Sequence, residues 1–279
     1  MPRTLKSLIA SLSLSVSGVG PLAEAALALA LADRPGAKAA PYDAKLAAMM
    51  RDAQHALGSG PEAFARPPEA VAMALMAAIH GKAGLSGDTE TYDDPRNADL
   101  IHVLERKKGL PVTLGIIYIH VARALGIEAS GLNMPSHFLV RLETSMGKVV
   151  IDPFAGGALF TPEAMAELVT RLRLPPVEVQ NGLARVMTDA DVLMRLLNNI
   201  RNRAKDAEDF PLLEKTCDHM LMFSPEAGIL WFDLGAAQAR NEKPGAAIKA
   251  LAKAVERGAG EPYAQAAEAL YKVLKARLN

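Results

Sequence analysis

The stretch that decides the fold opens with Gly109-Leu110-Pro111-Val112-Thr113-Leu114. It runs on through Ala124-Leu125-Gly126-Ile127 and Pro135-Ser136-His137-Phe138-Leu139-Val140-Arg141 to Ile151-Asp152-Pro153-Phe154. Proline at the first position of a helix loses no hydrogen bond and supplies the right φ. Leu114, Ile117, Tyr118, Val121 and Leu125 then follow Pro111 at helical spacing until Gly126. Beyond that glycine the period shortens, and 127–131, 137–143 and 148–152 read as strands. Thr144-Ser145-Met146-Gly147 joins the last two as a hairpin turn. If this turn sets the register, Leu139 faces Asp152, and His137 lies diagonal to Asp152 on the same face, roughly 7–8 Å away. An imidazole and a carboxylate can reach each other over that span.

Upstream, helices are expected over 22–33, stopped by Arg34-Pro35-Gly36, and over 43–57, stopped by Gly58-Ser59-Gly60. A third opens at Pro67-Pro68 and ends near Gly81, before a polar, acidic loop over 84–94. Asp94-Pro95 reads as an N-cap followed by proline at the first helical position. Leu100, Ile101, Val103 and Leu104 form that helix's apolar stripe. Arg106, Lys107 and Lys108 complement the negative end of its dipole, and Gly109 suits a left-handed exit.

Downstream, Gly156-Gly157 marks a turn, Thr161-Pro162-Glu163 starts a helix, and Pro175-Pro176 separates that helix from the C-terminal part of the chain. From about Thr188 the pattern is helical to the end, and it partly repeats at an offset of 34 residues. Leu197 matches Trp231, Ile200 matches Leu234, Leu213 matches Ala247, Cys217 matches Leu251, and Met220 matches Ala254. Ala204 against Gln238 breaks the match. Trp231-x-x-Leu234-Gly235 with Ala247, Leu251 and Ala254 resembles a tetratricopeptide unit, whose period is about 34 residues.

Composition narrows the function classes. Thirty-one basic residues balance 31 acidic ones over 279 positions, so no basic excess points to nucleic acid. One cysteine, Cys217, permits neither an intrachain disulfide nor a cysteine-based zinc site. His55, His80, His102, His120 and His219 form no metal-spaced pair, and no alternating acidic loop follows Asp93 and Asp94. No metal or other cofactor is therefore expected. The apolar runs 21–32 and 113–127 are interrupted by Glu24 and by His120 with Arg123, so no membrane span is expected either. Arg3 and Lys6 ahead of an apolar run, with Ala23-Glu24-Ala25 behind it, have the outline of an export signal. The preferred reading is a leader before the first helix, in a cytoplasmic protein.

The Gly109–Pro111, Leu125–Ile127, Ser136–Phe138 and Ile151–Pro153 blocks together resemble the transglutaminase-like superfamily. Its members open a helix with Gly-x-Cys, begin one strand with a histidine and end the next with an aspartate. The resemblance implies a Cys-His-Asp triad in which a helix N-terminus favours the thiolate, the histidine exchanges protons and the aspartate orients it. Residue by residue, the histidine falls on His137, the aspartate on Asp152 and the nucleophile on Pro111, which has no nucleophilic side chain.

A closer resemblance is to the bacterial SirB-type family, a transglutaminase-like core followed by tetratricopeptide-like repeats. It rests on Tyr92-Asp93-Asp94-Pro95-Arg96-Asn97, Val103-Leu104-Glu105-Arg106, Gly109 to Leu114, Pro135 to Arg141, and Asp152-Pro153-Phe154-Ala155-Gly156-Gly157. The implied fold is α+β. A helix-rich transglutaminase-like (papain-like) core with a small antiparallel sheet precedes an α-helical tetratricopeptide-like tail. The expected domains are a leader region over 1–65 packing on the core, the core over 66–174, and the repeat region over 188–279.

Two functions are compatible with this pattern. One is a non-catalytic regulatory module that binds a protein or peptide through the degenerate cleft and the repeat surface, with Arg141 and Trp231 as binding residues. The other is a hydrolase or acyl-transfer enzyme that keeps His137 and Asp152 but uses another nucleophile, such as Thr113 or an activated water. Ser136 adjoins His137 on the opposite strand face and is the weaker substitute. The loss of cysteine at Pro111 favours the first. Cys217 reads as inert packing in a repeat core.

Overall fold

A computed structural model describes residues 4–15, 18–32, 34–58, 62–134, 137–172 and 185–278. Ser136, Pro175 and Pro176 lie outside them, as do Ser59 and Gly60. The chain divides into two compact units, Met1–Leu193 and Met194–Asn279.

The first unit begins with helices α1 (Leu5–Ser13), α2 (Leu22–Leu31), α3 (Ala40–Leu57) and α4 (Pro68–Met76). Helix α4 runs on into wider π-type turns over Ala77–Lys82. Two short strands, β1 (Ser86–Gly87) and β2 (Lys108–Gly109), pair in parallel around α5 (Leu100–Arg106). The expected cap at Asp94 caps a different element. Its carboxylate accepts from Arg96 N at the head of a 3₁₀ turn, Pro95–Ala98, whereas Asp99 caps α5 by accepting from His102 N. Similarly, Lys107 and not Gly109 takes the left-handed exit, at φ 63°. Gly109 is required for space instead, because a Cβ there would meet Val103 at 2.9 Å.

Helix α6 (Pro111–Ala124) is buried nearly all round and forms the spine of this unit. The turn after it feeds strands β3 (Glu128–Met134), β4 (His137–Thr144) and β5 (Gly147–Asp152). With β6 (Ala158–Leu159) and β7 (Arg185–Val186) they make an antiparallel sheet in the order β6-β5-β4-β3-β7. The β4–β5 register pairs Thr144 with Gly147 and Val140 with Ile151, which sets Leu139 in line with Asp152 as the turn length predicts. Phe138 packs its ring where a Cβ on Gly115 of α6 would stand, so α6 and β4 approach through a residue without a side chain. Leu139 packs on the other face with Leu132, Met134 and Leu168 of α7 (Pro162–Leu172).

The division between the units falls inside α8 (Asp189–Asp206). Helices α9 (Phe210–Leu221), α10 (Gly228–Arg240), α11 (Pro244–Arg257) and α12 (Pro262–Leu278) complete the chain. Helices α9 and α11 start 34 residues apart, at Phe210 and Pro244, a spacing consistent with repeats. Ala247, Leu251, Ala254, Ala267 and Leu274 form a core against which Trp231 packs. Asp233, almost fully buried on α10, accepts from Arg201 Nε at 2.6 Å and from Lys205 Nζ at 3.0 Å, tying α8 to α10. Among the described residues no helix is long and apolar enough to cross a membrane.

Candidate functional site

The site is built around the start of α6. Pro111 is its first residue and Leu110 its N-cap, with no side chain capping it. The anchoring comes from outside the helix. Leu110 N and Thr113 Oγ1 both donate to the carbonyl oxygen of Asn97, at 3.0 and 2.9 Å. Asn97 is itself fully buried. Its amide nitrogen donates to Asp88 Oδ2 at 3.0 Å and to the Thr91 carbonyl at 2.7 Å, and its oxygen accepts from Arg106 Nη1 at 3.1 Å. Asp88, 2% exposed, also accepts from Thr91 N and Oγ1. Those bonds, led by the Thr91 hydroxyl, hold its carboxyl well below the usual carboxylate range despite burial. Arg106 closes the knot against Asp88 at 3.5 Å and Asp94 at 3.4 Å.

Thr113, the expected substitute nucleophile, is thus a fully buried member of this knot. Its proton is already committed to a carbonyl. A nucleophilic hydroxyl needs a base on that proton and an approach for the substrate.

His137 opens β4 opposite Met134, and Asp152 closes β5. In the antiparallel sheet the end of β3, the start of β4 and the end of β5 lie at one end. Strand alternation sets His137 with Leu139 and Arg141, the stripe that packs toward α7, while Phe138 reaches α6. By strand alternation, then, His137 falls in the Leu139 row and Phe138 in the row that meets α6. The carboxylate of Asp152 accepts from Phe154 N at 2.8 Å and Ala155 N at 3.3 Å, shaping the following turn. Gly157 N donates to the Asp152 carbonyl at 2.8 Å, and Tyr118 Oη donates to Gly156 O at 2.8 Å. Burial, and then the charge of Asp152, push the Tyr118 phenol well above its ordinary range.

Arg141 pairs with Glu143 at 3.5 Å on the surface, not with Asp152. On the tail, Trp231 carries Lys253 Nζ over its ring at 3.9 Å, and its Nε1 donates to the Pro225 carbonyl at 2.7 Å. Cys217 is fully buried, and burial pushes its thiol up to about 12. Among the described residues no group of histidine, cysteine or carboxylate side chains could hold a metal.

Sequence reasoning misses the Asp88–Asn97–Arg106 knot. The signal is present in the Tyr92–Asn97 and Val103–Arg106 blocks, but by local rules these read as a loop and a helix end. It also misses Tyr118, whose phenol feels the charge of Asp152, and His80, whose ring lies at 3.0 Å from the Cβ position of Gly156.

Comparison with known proteins bears on the same segment. Residues 40–198 match the family model of the transglutaminase-like superfamily. A UPF0162 protein of Xylella fastidiosa (strain 9a5c) is 34% identical over 172 residues, which are 58% of this chain and 61% of that protein. Protein SirB1 of Salmonella typhimurium is 25% identical over 193 residues, 68% of this chain and 71% of its own. F-box only protein 21 of Mus musculus is 26% identical over 159 residues, 53% of this chain and 24% of that longer protein. Among solved structures, a crystal structure of menin aligns over 96% of this chain and 73% of its own, at 14% identity and a TM-score of 0.42. That likeness is too low to inform the fold.

Proposed function

The chain belongs to the transglutaminase-like superfamily, alongside UPF0162 and SirB-type proteins, and we propose that it acts as a non-catalytic, regulatory protein-binding module in the cytoplasm. The observation that carries this reading is the occupant of the nucleophile position. Pro111 begins α6 where the family's cysteine would stand, and the nearest hydroxyl, on Thr113, is buried and spent on Asn97. A helix N-terminus can stabilise a thiolate only if a thiol is there.

In this reading the binding surfaces are the degenerate cleft near His137, Asp152 and Arg141 and the tail around Trp231. The 34-residue spacing supports a tetratricopeptide-like tail, over 188–279, following a leader over 1–65 and a core over 66–174. The test is affinity capture from the native host with the full chain as bait, against a bait with surface substitutions on the tail. A specific partner, identified and lost with those substitutions, supports the proposal. No specific partner under either condition contradicts it.

A further inference from the structure

Helix α7 lies on the sheet face that carries the His137 row. Of its described side chains Leu168 alone is buried, packed against Leu132, Met134 and Leu139 with Val150 and Phe160 alongside. Ala164 and Val169 are half-buried, and Glu163, Glu167 and Arg171 face water. The hydrogen bonds made by its side chains stay within the helix and its cap. Thr161 Oγ1 accepts from Ala164 N at 3.3 Å, and Thr170 Oγ1 donates to the Ala166 carbonyl at 2.9 Å. Among the described residues no ion pair ties α7 to another element.

The site where α7 rests is only partly filled. A cleft of about 590 Å³ adjoins the start of the helix, with Leu132, Val150 and Phe160 common to both and with Thr161 and Pro162 on its lining. The chain enters α7 just past the bond from Phe160 N to the Val150 carbonyl, so the helix can lift about Thr161-Pro162 with the sheet intact. Local stability follows apolar burial and tertiary hydrogen bonding. Helix α6 is buried nearly all round and opens only with its unit. Helix α7 is docked by its Leu168 stripe and opens first. What it covers is the row that the binding reading uses: Leu139 stands in line with Asp152, His137 lies two residues before it and Arg141 two after.

We propose that α7 is an intrachain lid over this row, and that an amphipathic helix of a partner protein docks there by taking its place. The surface itself sets the class of occupant. It already holds a helix by a leucine set into an apolar row, and the adjoining cleft has room for further apolar side chains. This inference rests on the binding-module reading and gives its cleft a closed state and a partner chemistry.

Two measurements on the full chain test it. In hydrogen exchange of the wild type, α7 amides should exchange on the order of a hundredfold faster than those of α6, at rates hardly changed by dilute urea, because a local opening exposes little surface. In fluorescence anisotropy the probe is a fluorescein-labelled peptide of residues 161–172. Leu168→Asp lifts the lid, so the variant should bind this peptide about tenfold or more tightly than the wild type does. A peptide carrying the same substitution should not bind. Exchange of α7 at the α6 rate, equal affinity of the two proteins, or no saturable binding to a folded Leu168→Asp chain would overturn the proposal. If Leu168→Asp does not fold, exchange of the wild type decides alone. If both tests pass and host capture fails, the binding-module reading fails and α7 remains a lid. If both fail and capture succeeds, this inference fails alone.

Discussion

Thr113 Oγ1 donates to the main-chain carbonyl of Asn97 at 2.9 Å, and through that carbonyl the start of α6 is fastened to a buried polar knot. The same oxygen receives Leu110 N at 3.0 Å. The helix that would carry the family's nucleophile is thereby held from outside, with no side chain needed at its cap. A proline stands at that helix start, where the family's cysteine would be.

Asn97 is the keystone of that knot. Asn97→Ala removes one hydrogen-bond partner from Asp88 and one from Arg106, and leaves both charges less well paired in a dry environment. A loss of about 2–4 kcal/mol in urea unfolding is expected, with Thr113→Val costing only about 1 kcal/mol. If Asn97→Ala costs no more than Thr113→Val, the knot is not what anchors α6.

Asp88 gives the first unit a defined acid limit. Its folded carboxyl titrates well below its unfolded value, chiefly through the Thr91 hydroxyl. The stability it contributes is therefore present above the unfolded value, about 3.9, and is lost as pH falls below it. The stability gap between wild type and Asp88→Asn should be full at neutral pH and shrink on acidification below about pH 4. A gap that stays constant down to the acid transition would contradict the assignment.

In the tail, Asp233 serves two cations. Asp233→Ala strands Arg201, which is 13% exposed, and should cost on the order of 3 kcal/mol. Cys217 reports the result, since its buried thiol stays silent to a thiol reagent until the tail opens. Faster labelling of Cys217 in the variant is expected. An unchanged labelling rate would show that the ion cluster contributes nothing to the tail.

Pro111→Cys restores the missing atom. Because Cys217 is buried, the introduced thiol alone should react with iodoacetamide, assisted by the helix N-terminus. Strand alternation puts His137 on the face away from α6, so adding His137→Ala should change the rate less than about twofold. A tenfold drop would show that the imidazole reaches the helix start and that the full triad geometry persists.

Some of this is legible in the residues and some is not, for physical reasons. The helix from Pro111 and the β4–β5 register are readable because local rules decide them: proline at a helix start, alternation, and a two-residue turn at Ser145-Met146. The left-handed exit falls to Lys107 because α5 ends at Arg106, and Gly109 lies beyond it in β2, packed against Val103. Asn97 and Asp88 look like loop polarity in sequence, since only tertiary contact tells a buried polar group from a solvated one. The register sets Leu139 in line with Asp152, which leaves His137 diagonal to it along the strands. Spacing gives the strand position but not which helix covers that face.

The central claim is that this transglutaminase-like chain binds and does not catalyse. The most direct test is turnover of a broad peptide and amide library by the wild type, compared with His137→Ala and Asp152→Asn. Background turnover, equal in all three, is the result predicted. Wild-type turnover that either substitution abolishes would contradict the account and establish an enzyme that works without the cysteine.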